Sequence, residues 1–243
     1  MSSIPRLFVE ESLNIDNEIK IFDKQYHYLH NVLRLNINDT VYLINGKDGE
    51  YLSLITFCNN KYIILKIISK TKEFCKEKFL GLIIPPIQKI DIVLKSATEL
   101  GVSDFYFINT QYTNKANFKE HKIYSNIIEA IEQSERLDYP IIHKLSNIKN
   151  ILDNINKDSL IFFCEERTGK NNIENILKYK NINTNIYALI GPEGGFTEDE
   201  KILINSYKNT ISINLGNNIL RTETATISIL SLLKLINNNN NIA

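Results

Sequence analysis

Cysteine is scarce in this sequence and net charge is absent, and both absences narrow the class of protein. The 243 residues include three cysteines, Cys58, Cys75 and Cys164, which lie far apart and form no CxxC motif. An odd number of widely spaced cysteines is typical of a reduced, cytoplasmic protein. Basic and acidic residues both number 28, so the formal net charge is zero. This excludes a protein that coats nucleic acid through bulk charge, but it leaves a local basic face possible.

The sequence also lacks a long apolar run, an export signal and metal-ligand spacing. No window approaches about 18 consecutive apolar residues, the number that a membrane helix needs. The N-terminus has no basic segment followed by an apolar stretch. The four histidines show no ligand spacing with cysteine or carboxylate residues. We therefore expect a globular protein without a membrane partner and without a metal.

Two patterns of predicted secondary structure divide the chain. Residues 1–72 are rich in β-branched and aromatic segments, with one short helix over Gln25–Leu35 and a glycine-containing hairpin after Thr40–Ile44. This pattern predicts a small barrel or curled sheet. A charged break over residues 70–78 follows, and residues 73–243 then alternate strands and helices, as α/β domains do. We predict two domains, 1–72 and 73–243.

Local features of the second domain are also predicted. A helix over Gln88–Leu100 has Gly101 as its stop, and TEDE at 197–200 is a capping box that opens another helix. The short apolar runs Ser159–Cys164 and Ile186–Ile190 are typical of buried parallel strands.

Two segments of the α/β part combine a strand, a glycine-containing loop and a helix. They are ALIGPEGGF at 188–196 and INLGNNILRTETA at 213–225. Ligands bind beyond the carboxyl ends of strands in open α/β sheets, where glycine permits a close backbone approach. No phosphate-binding motif is present, and Glu193 within the loop would repel an anion. A neutral or cationic ligand such as S-adenosylmethionine, with its sulfonium, suits these loops. Two tight turns without a ligand would produce the same pattern.

A polar face is predicted on a helix over His121–Leu137. The residues that share it, three or four positions apart, are Glu129, Glu132, Gln133 and Arg136. These side chains would form either a solvated, salt-bridged face or a strip that hydrogen-bonds the edge of a base. A run of lysines between Lys61 and Lys78 allows a similar choice between a solvated strand and a surface that contacts RNA.

Six segments are familiar when taken together in their order and spacing. They are RLFV (6–9), HNVLRL (30–35), KSATELGV (95–102), EAIEQSER (129–136), LIGPEGGFTEDE (189–200) and LGNNILRTETA (215–225). In combination they resemble the RsmE family, the 16S ribosomal RNA uracil-N3 methyltransferases of the SPOUT superfamily. GPEGGFTE and ILRTETA are highly specific as a pair, whereas the N-terminal segments are weaker. The resemblance implies a PUA-like β-barrel followed by a SPOUT α/β methyltransferase domain with a C-terminal trefoil knot.

The same resemblance implies a homodimer, S-adenosylmethionine as cofactor and three loops that hold it, at 164–169, 190–196 and 215–221. The implied cofactor-binding residues are Cys164, Glu165, Ile190, Gly191, Glu193, Gly194, Gly195, Leu215, Gly216, Ile219, Leu220 and Arg221. The implied substrate is a uridine in the decoding region near the 3′ end of 16S rRNA, within the small ribosomal subunit. The expected RNA contacts are Arg6, His30 and Arg34, from the matching N-terminal segments, with Gln133 and Arg136. The chain departs from the family's common pattern at Asn218, at Glu135 and over 110–114, where a basic residue, a glycine and an arginine-bearing segment are frequent.

The chemistry of uracil methylation indicates which side chains should act. N3 is a poor nucleophile while it carries its proton, so the site must accept that proton or stabilise the uracil anion. Arg221, at the start of the last helix, is predicted to stabilise the anion, and Glu132 or Glu193 to accept the proton. Ile219 and Leu220 are expected to point into the fold. The apolar last helix, over Thr222–Ile236, has more than one face to bury and so supports a dimer.

Two other functions share parts of this pattern. A SPOUT methyltransferase that acts on another RNA, such as tRNA, would have the same cofactor loops. A non-catalytic RNA-binding or assembly protein would keep the β domain and use the α/β half only to dimerise. Cofactor binding would separate the second alternative from an enzyme, and the choice of RNA would separate the first.

Overall fold

The computed structural model describes residues 4–114, 118–165, 171–180 and 183–237, with backbone alone over 171–175. The chain divides into two compact units. The first comprises Met1–Lys76 and Ile131–Tyr139, and the second comprises Glu77–Ala130 and Pro140–Ala243. Among the described residues, no helix has the length and apolarity that crossing a membrane requires.

The first unit is built on a five-stranded sheet. Its strands are β1 (Arg6–Phe8), β2 (Glu18–Ile21), β3 (Thr40–Ile44), β4 (Glu50–Cys58) and β5 (Ile63–Lys72). They lie in the order β1-β3-β4-β5-β2; β1 runs parallel to β3, and the other neighbours are antiparallel. The predicted hairpin is confirmed, because Ile44 pairs with Glu50 across the turn and Gly46 and Gly49 both adopt positive φ. Strand β2 was not predicted, and β5 runs to Lys72, into the segment predicted to be a charged break.

The helix predicted over Gln25–Leu35 is two short pieces. Helix α1 (Asp23–Tyr26) leads directly into a π-helical turn over His27–Val32, in which the Leu33 amide donates to the Tyr28 carbonyl. The wider π turn changes which side chains face inward. Leu29 is fully buried in the core of the sheet, whereas Val32 is 57% exposed, although α-helical spacing had placed both on one face.

The second unit contains a seven-stranded parallel sheet. Its strands are β6 (Leu80–Ile84), β7 (Asp104–Asn109), β8 (Ile141–Asn147), β9 (Leu160–Cys164), β10 (Asn171–Asn172), β11 (Ile186–Leu189) and β12 (Thr210–Asn214). They lie in the order β10-β12-β9-β11-β6-β7-β8. Every residue of β6 and β11 is buried, which explains why these strands read as continuous apolar runs in the sequence.

Helices flank the strands along the chain. They are α2 (Ile90–Glu99), α3 (Glu120–Ser134), α4 (Ile148–Asn154), α5 (Glu198–Ser206) and α6 (Thr222–Asn237), with a 3₁₀ helix over Ile173–Tyr179. The predicted stop of α2 is confirmed, because Gly101 has φ of 90° and the Val102 amide donates to the Ala97 carbonyl, a Schellman end. The predicted capping box is also confirmed, since Thr197 and Glu200 exchange side-chain and backbone hydrogen bonds at the start of α5. Strand β8 and helix α4 were not predicted.

Helix α3 ends three residues before its predicted limit. Glu135 adopts φ of 60° and the Arg136 amide donates to the Ile131 carbonyl, so the helix closes at Ser134. A positive φ disfavours residues with a Cβ, which explains why glycine suits this position. Glu135 is held there by ion pairs to Lys72 (2.8 Å) and Arg6 (3.3 Å). Arg136 therefore lies beyond the helix, and the prediction that it shares a helical face with Gln133 is wrong.

Candidate functional site

The candidate site forms where three neighbouring strands of the second unit end. Strands β12, β9 and β11 lie side by side in parallel, so the loops that follow them leave the same edge of the sheet. Ligand sites of open α/β sheets occupy this edge. The loops enclose a cavity of about 450 Å³, a size typical of small-molecule sites.

Most of the residues predicted to hold a cofactor line this cavity. They are Cys164, Glu165, Ile190, Gly191, Gly194, Gly195, Leu215, Gly216, Ile219 and Leu220. Glu193 and Arg221, which were also predicted, are not among the described residues of the lining. Residues 166–169 of the predicted loop 164–169 lie outside the described part of the chain.

Four further lining residues lie within the predicted loops, although they were not named individually; they are Pro192, Phe196, Asn217 and Asn218. The lining residues outside the predicted loops, which were not predicted, are Phe163, Lys201, Ile213, Asn214, Thr222 and Ala225. Four of these flank the loop 215–221 within the quoted segment 213–225, so their nearness to the loop was a usable signal. Lys201 lies on α5, where only the direction of the helix decides whether its side chain reaches the cavity. Phe163 belongs to a buried apolar strand and carried no signal.

The loop after β11 needs its glycines for two different reasons. A Cβ on Gly191 would lie 2.9 Å from the Phe196 ring, which is closer than packed carbon atoms come. Gly195 adopts φ of 71° and its amide donates to the Pro192 carbonyl at 2.8 Å, closing a tight turn. An added Cβ on Gly195 would meet no protein atom within 4 Å, so the restriction there is the backbone angle. The loop thus presents bare backbone to the cavity.

Few of the described residues that line the cavity are ionisable. The Glu165 carboxylate accepts a hydrogen bond from the Ser212 hydroxyl at 2.7 Å, and Lys201 pairs with Glu198 at 2.7 Å. Burial raises the pKa of the Cys164 thiol to about 12, so the group is neutral at physiological pH. The Thr222 hydroxyl donates to the Gly191 carbonyl at 3.2 Å, which joins the start of α6 to the loop after β11. The described wall therefore offers one carboxylate and one ammonium among neutral groups.

The segment Ile219–Arg221 is directed outward. Ile219 is 57% exposed while it lines the cavity, so the expectation that it points into the fold is wrong. The Arg221 side chain is exposed and makes no hydrogen bond or ion pair with the residues that the structure describes. A salt bridge to Glu223 or Glu193 would instead give Arg221 a structural role, but the described residues contain none, and Glu223 pairs with Lys89 at 3.0 Å. The pKa of Glu223 is lowered by a hydrogen bond from its own backbone amide, then by Lys89, and least by the charge of Arg221. The guanidinium is thus available to a ligand.

The two predicted proton acceptors lie in different units. Glu193 is exposed on the loop after β11, and its carboxylate accepts from the Gln88 amide at 3.1 Å. The Glu132 carboxylate belongs to the first unit and accepts from the Phe8 amide at 2.8 Å. Each carboxylate is therefore already held by a backbone donor.

Two of the arginines expected to contact RNA are buried in ion pairs of the first unit. Arg6 donates through Nε and Nη2 to Glu50 at 2.7 and 2.6 Å, and the two side chains are 8% and 2% exposed. Arg136 forms a bidentate pair with Asp138 at 2.7 and 2.9 Å, also buried. Both guanidinium groups hold carboxylates in place, and neither is freely exposed.

The other three expected RNA contacts are accessible. Arg34 and Gln133 are exposed, and Arg34 adopts φ of 56° just after the π-helical turn. His30 is half-buried, stacks on Tyr26 with ring centroids 5.2 Å apart, and lies 3.5 Å from the Cys58 sulfur. On α3, Glu129 pairs with Lys95 at 2.6 Å, as the salt-bridge interpretation of this helix predicted.

Two families of known proteins match the sequence. Residues 72–234 match a family described as an RNA methyltransferase domain. Residues 21–68 match a family described as an RNA methyltransferase PUA domain. The first match alone covers more than half of the chain.

Curated relatives align over nearly the whole length. A protein from Rickettsia conorii is 34% identical over 95% of both chains and is called ribosomal RNA small subunit methyltransferase E. A protein from Borreliella burgdorferi with the same name, numbered 1, is 32% identical over 90% of this chain and 94% of its own.

Solved structures share the fold. A methyltransferase from Legionella pneumophila, in complex with S-adenosylmethionine, superposes with a TM-score of 0.84 at 22% identity, covering 96% of this chain and 98% of its own. A ribosomal RNA small subunit methyltransferase E from Neisseria gonorrhoeae, also bound to S-adenosylmethionine, gives 0.80 at 22% identity with the same coverage. With a methyltransferase domain over most of its length and relatives above 30% identity along nearly all of it, this chain belongs to the ribosomal RNA small subunit methyltransferase E family.

Proposed function

We propose that this protein transfers a methyl group from S-adenosylmethionine to N3 of a uridine in 16S rRNA, near its 3′ end. The observation that carries the proposal is the cavity formed by the loops after β9, β11 and β12, in a chain that belongs to this family. Both solved relatives named above contain S-adenosylmethionine. The three free cysteines suit the reduced cytoplasm, where ribosomal subunits assemble.

The chemistry of the cavity wall fits this cofactor. Exposed backbone at Gly194, Gly195 and Gly216 allows close approach by a flat ring system. Apolar groups such as Ile219 and Leu220 can cover an adenine, while the Glu165 carboxylate can accept from ribose hydroxyls or attract the positive charge. Lys201 can pair with the methionine carboxylate. When bound, S-adenosylmethionine supplies an electrophilic methyl group on a sulfonium.

Arg221 is the residue that we propose stabilises the uracil anion. Its side chain is exposed and makes no hydrogen bond or ion pair with the described residues, and the next residue, Thr222, lines the cavity. A guanidinium can donate two parallel hydrogen bonds and remains charged at every physiological pH. Placed at O4 or O2 of uracil, it would stabilise the negative charge that is shared onto that oxygen as the N3 proton leaves, while the N3 lone pair stays free to attack the methyl group.

The N3 proton then needs an acceptor, and we propose Glu193 or Glu132. Glu193 lies on the loop whose neighbouring residues line the cavity, and its carboxylate accepts from the Gln88 amide through Oε1. A carboxylate has lone pairs on both oxygens, so a hydrogen bond to one oxygen does not prevent it from accepting a proton. Glu132 is the second candidate because it is next to Gln133, an exposed residue proposed to contact RNA. Separate substitution of each residue distinguishes the two.

Residues 1–72 are proposed to bind RNA without taking part in the chemistry. We retain residues 1–72 as the RNA-binding domain, folded as a PUA-like barrel, and 73–243 as the methyltransferase domain. Arg34, His30 and Gln133 are the proposed contacts, because their side chains are accessible. Arg6 and Arg136 are left out of this set, since their charges are buried against Glu50 and Asp138.

A trefoil knot and a homodimer complete the proposal. Helix α6 contacts α2, β11 and the 3₁₀ helix, and Thr222 bonds to the loop after β11, contacts that suit a chain end threaded through the loops before it. Leu235 is 55% exposed and Ile227 36% exposed on α6, so a second subunit would cover apolar surface there. Light scattering at micromolar concentration should give twice the chain mass, and a monomer would contradict the dimer.

The decisive experiment is methylation by the purified protein with isotopically labelled S-adenosylmethionine. Assembled small subunits, free 16S rRNA and bulk tRNA are offered separately, and the labelled nucleoside is mapped by digestion and mass spectrometry. We expect label as 3-methyluridine in 16S rRNA, with the assembled subunit preferred. Label in tRNA would favour the second RNA target, and cofactor binding without transfer would contradict the uridine assignment. Absence of cofactor binding would favour a non-catalytic RNA-binding protein.

A further inference from the structure

A large aromatic side chain lies exposed beside the cofactor cavity and has no part in the function proposed so far. Tyr112, in the loop after β7, is 56% exposed. It rests against Gly194: a Cβ on that glycine would lie 3.1 Å from Tyr112 Cβ and 3.2 Å from Cγ. Gly194 itself lines the cavity. Tyr112 therefore borders the wall of the cavity, and a Cβ on Gly194 would force it to shift by a few tenths of an ångström.

The backbone that carries Tyr112 is firmly held. The Thr113 hydroxyl accepts from the Thr110 amide at 2.9 Å, and the Thr113 amide donates to the Thr110 carbonyl at 3.2 Å, closing a turn around Tyr112. The Gln111 amide donates to the Glu200 carboxylate at 2.9 Å, and Glu200 is the capping-box residue of α5. The loop is thus fastened to the helix that follows the GPEGGF segment. An exposed aromatic ring on such a support leaves apolar surface in water and gains little packing in return.

The chemistry that such a ring serves beside a methyl-transfer cavity is base stacking. A uridine whose N3 is to be methylated must be unpaired and turned out of its stack, because N3 forms the Watson–Crick hydrogen bond. Aromatic side chains stabilise splayed-out bases by stacking on their faces. A tyrosine ring at the rim of the cavity, on a fixed backbone, offers such a face to a base that enters the site.

We propose that Tyr112 is the stacking platform for the target uracil, holding the flipped base beside the cofactor loop. The inference rests on the proposed function and adds the residue that positions the base. Tyr112 would act as a positioning residue, with its ring face on the pyrimidine and its hydroxyl in solvent. Stacking requires a planar ring. Phenylalanine at position 112 should therefore preserve the stacking, whereas leucine, which has a similar apolar area, should not.

A fluorescence experiment tests contact with the base directly. The chain contains no tryptophan, so Tyr112→Trp introduces a single reporter at the rim of the cavity. We expect its emission to be quenched by an eight-residue oligouridylate in the presence of S-adenosylmethionine, and not by an abasic oligomer of the same length. Tyr124→Trp, at a tyrosine 47% exposed on α3, is the matched control and should respond to neither. Two results would overturn the proposal. The first is equal quenching of the Tyr112→Trp variant by both oligomers. The second is an emission change that follows the concentration of the variant and not that of the oligomer.

Kinetics on small subunits test the consequence for turnover. Loss of one stacked base costs about 5- to 100-fold in binding, so Tyr112→Ala and Tyr112→Leu should raise KM for the subunit by that factor. Tyr112→Phe should stay within about twofold of the wild type, and cofactor affinity by calorimetry should be unchanged in all three variants. An unchanged KM in Tyr112→Ala, or a loss of cofactor affinity, would show that the ring only shapes the Gly194 loop.

The two proposals fail in different ways. If the wild type transfers no methyl group to any RNA, the proposed function fails, whereas quenching of the Tyr112→Trp variant by oligouridylate would still report a base on the ring. If the wild type methylates 16S rRNA and the Tyr112 variants show neither a raised KM nor base-dependent quenching, only the stacking role fails.

Discussion

Replacing Arg6 by alanine should destabilise the first unit, because the change leaves a buried carboxylate without its principal partner. Glu50 is 2% exposed, and Arg6 supplies its two shortest contacts, at 2.7 and 2.6 Å. What remains is the Thr71 hydroxyl at 2.9 Å and the Lys72 ammonium at 3.5 Å, which is also paired with Glu135. The guanidinium also lies 5.3 Å from the centre of the Tyr42 ring.

The size of the effect follows from this geometry. Removing one partner of a buried ion pair costs about 3–5 kcal/mol, since the remaining charge is uncompensated. Lys72 can move closer to Glu50 and offset part of this cost, while loss of the contact with Tyr42 adds about 0.5–1 kcal/mol. We therefore expect about 3–4 kcal/mol, a large part of the stability of an ordinary domain. The double variant Arg6→Ala/Glu50→Gln should recover much of it, because no charge is then buried alone.

Hydrogen exchange at the amides of β3, β4 and β5 in the full chain measures the local loss of stability in the first unit. Urea unfolding gives the free energy of unfolding of the whole chain. Arg34→Ala is the matched control, because that arginine is exposed and should change stability by less than about 0.5 kcal/mol. A change below about 1 kcal/mol in Arg6→Ala, or a double variant no more stable than the single one, would refute the buried-charge argument. If Arg6 instead served RNA binding, the double variant would be stable and still fail to bind RNA.

Three further outcomes test the second unit. Gly195→Val should abolish S-adenosylmethionine binding in calorimetry while the protein stays folded, because a β-branched residue cannot adopt the φ of 71° that this loop requires. Unchanged affinity would show that the loop is not part of the cofactor site. Arg221→Ala should slow single-turnover methylation by on the order of 10²-fold with little change in cofactor affinity, and Arg221→Lys should recover little. The control Lys89→Ala removes a nearby cation and should keep its rate; near-normal turnover in Arg221→Ala would return that residue to a structural role. At pH 8, iodoacetamide should modify exposed Cys75 and spare Cys164, whose raised pKa of about 12 leaves almost no thiolate. Equal labelling of the two cysteines, measured by mass spectrometry, would contradict the raised pKa of Cys164.

Local patterns sufficed where the structure is decided by residues close together in the chain. The apolar runs of β9 and β11 predict buried parallel strands because both faces of such strands are covered. The Thr197–Glu200 capping box and the Gly101 stop involve partners within five residues, so the sequence alone was enough to place them. The two glycine-containing loops were predicted at the same sheet edge, because parallel strands must end together.

Tertiary structure decided what depends on partners far apart in the sequence. The buried ion pair of Arg6 with Glu50 joins residues 44 positions apart, so it depends on how the chain folds around them and was not predicted. Widening of one helical turn to π geometry exposed Val32 and kept Leu29 inside, a difference that spacing cannot show. The place of Tyr112 against Gly194 joins residues 82 positions apart, and only the meeting of two loops at one sheet edge brings Tyr112 beside the cavity wall. Local propensity acts over a few residues, whereas burial and pairing are properties of the whole packed arrangement.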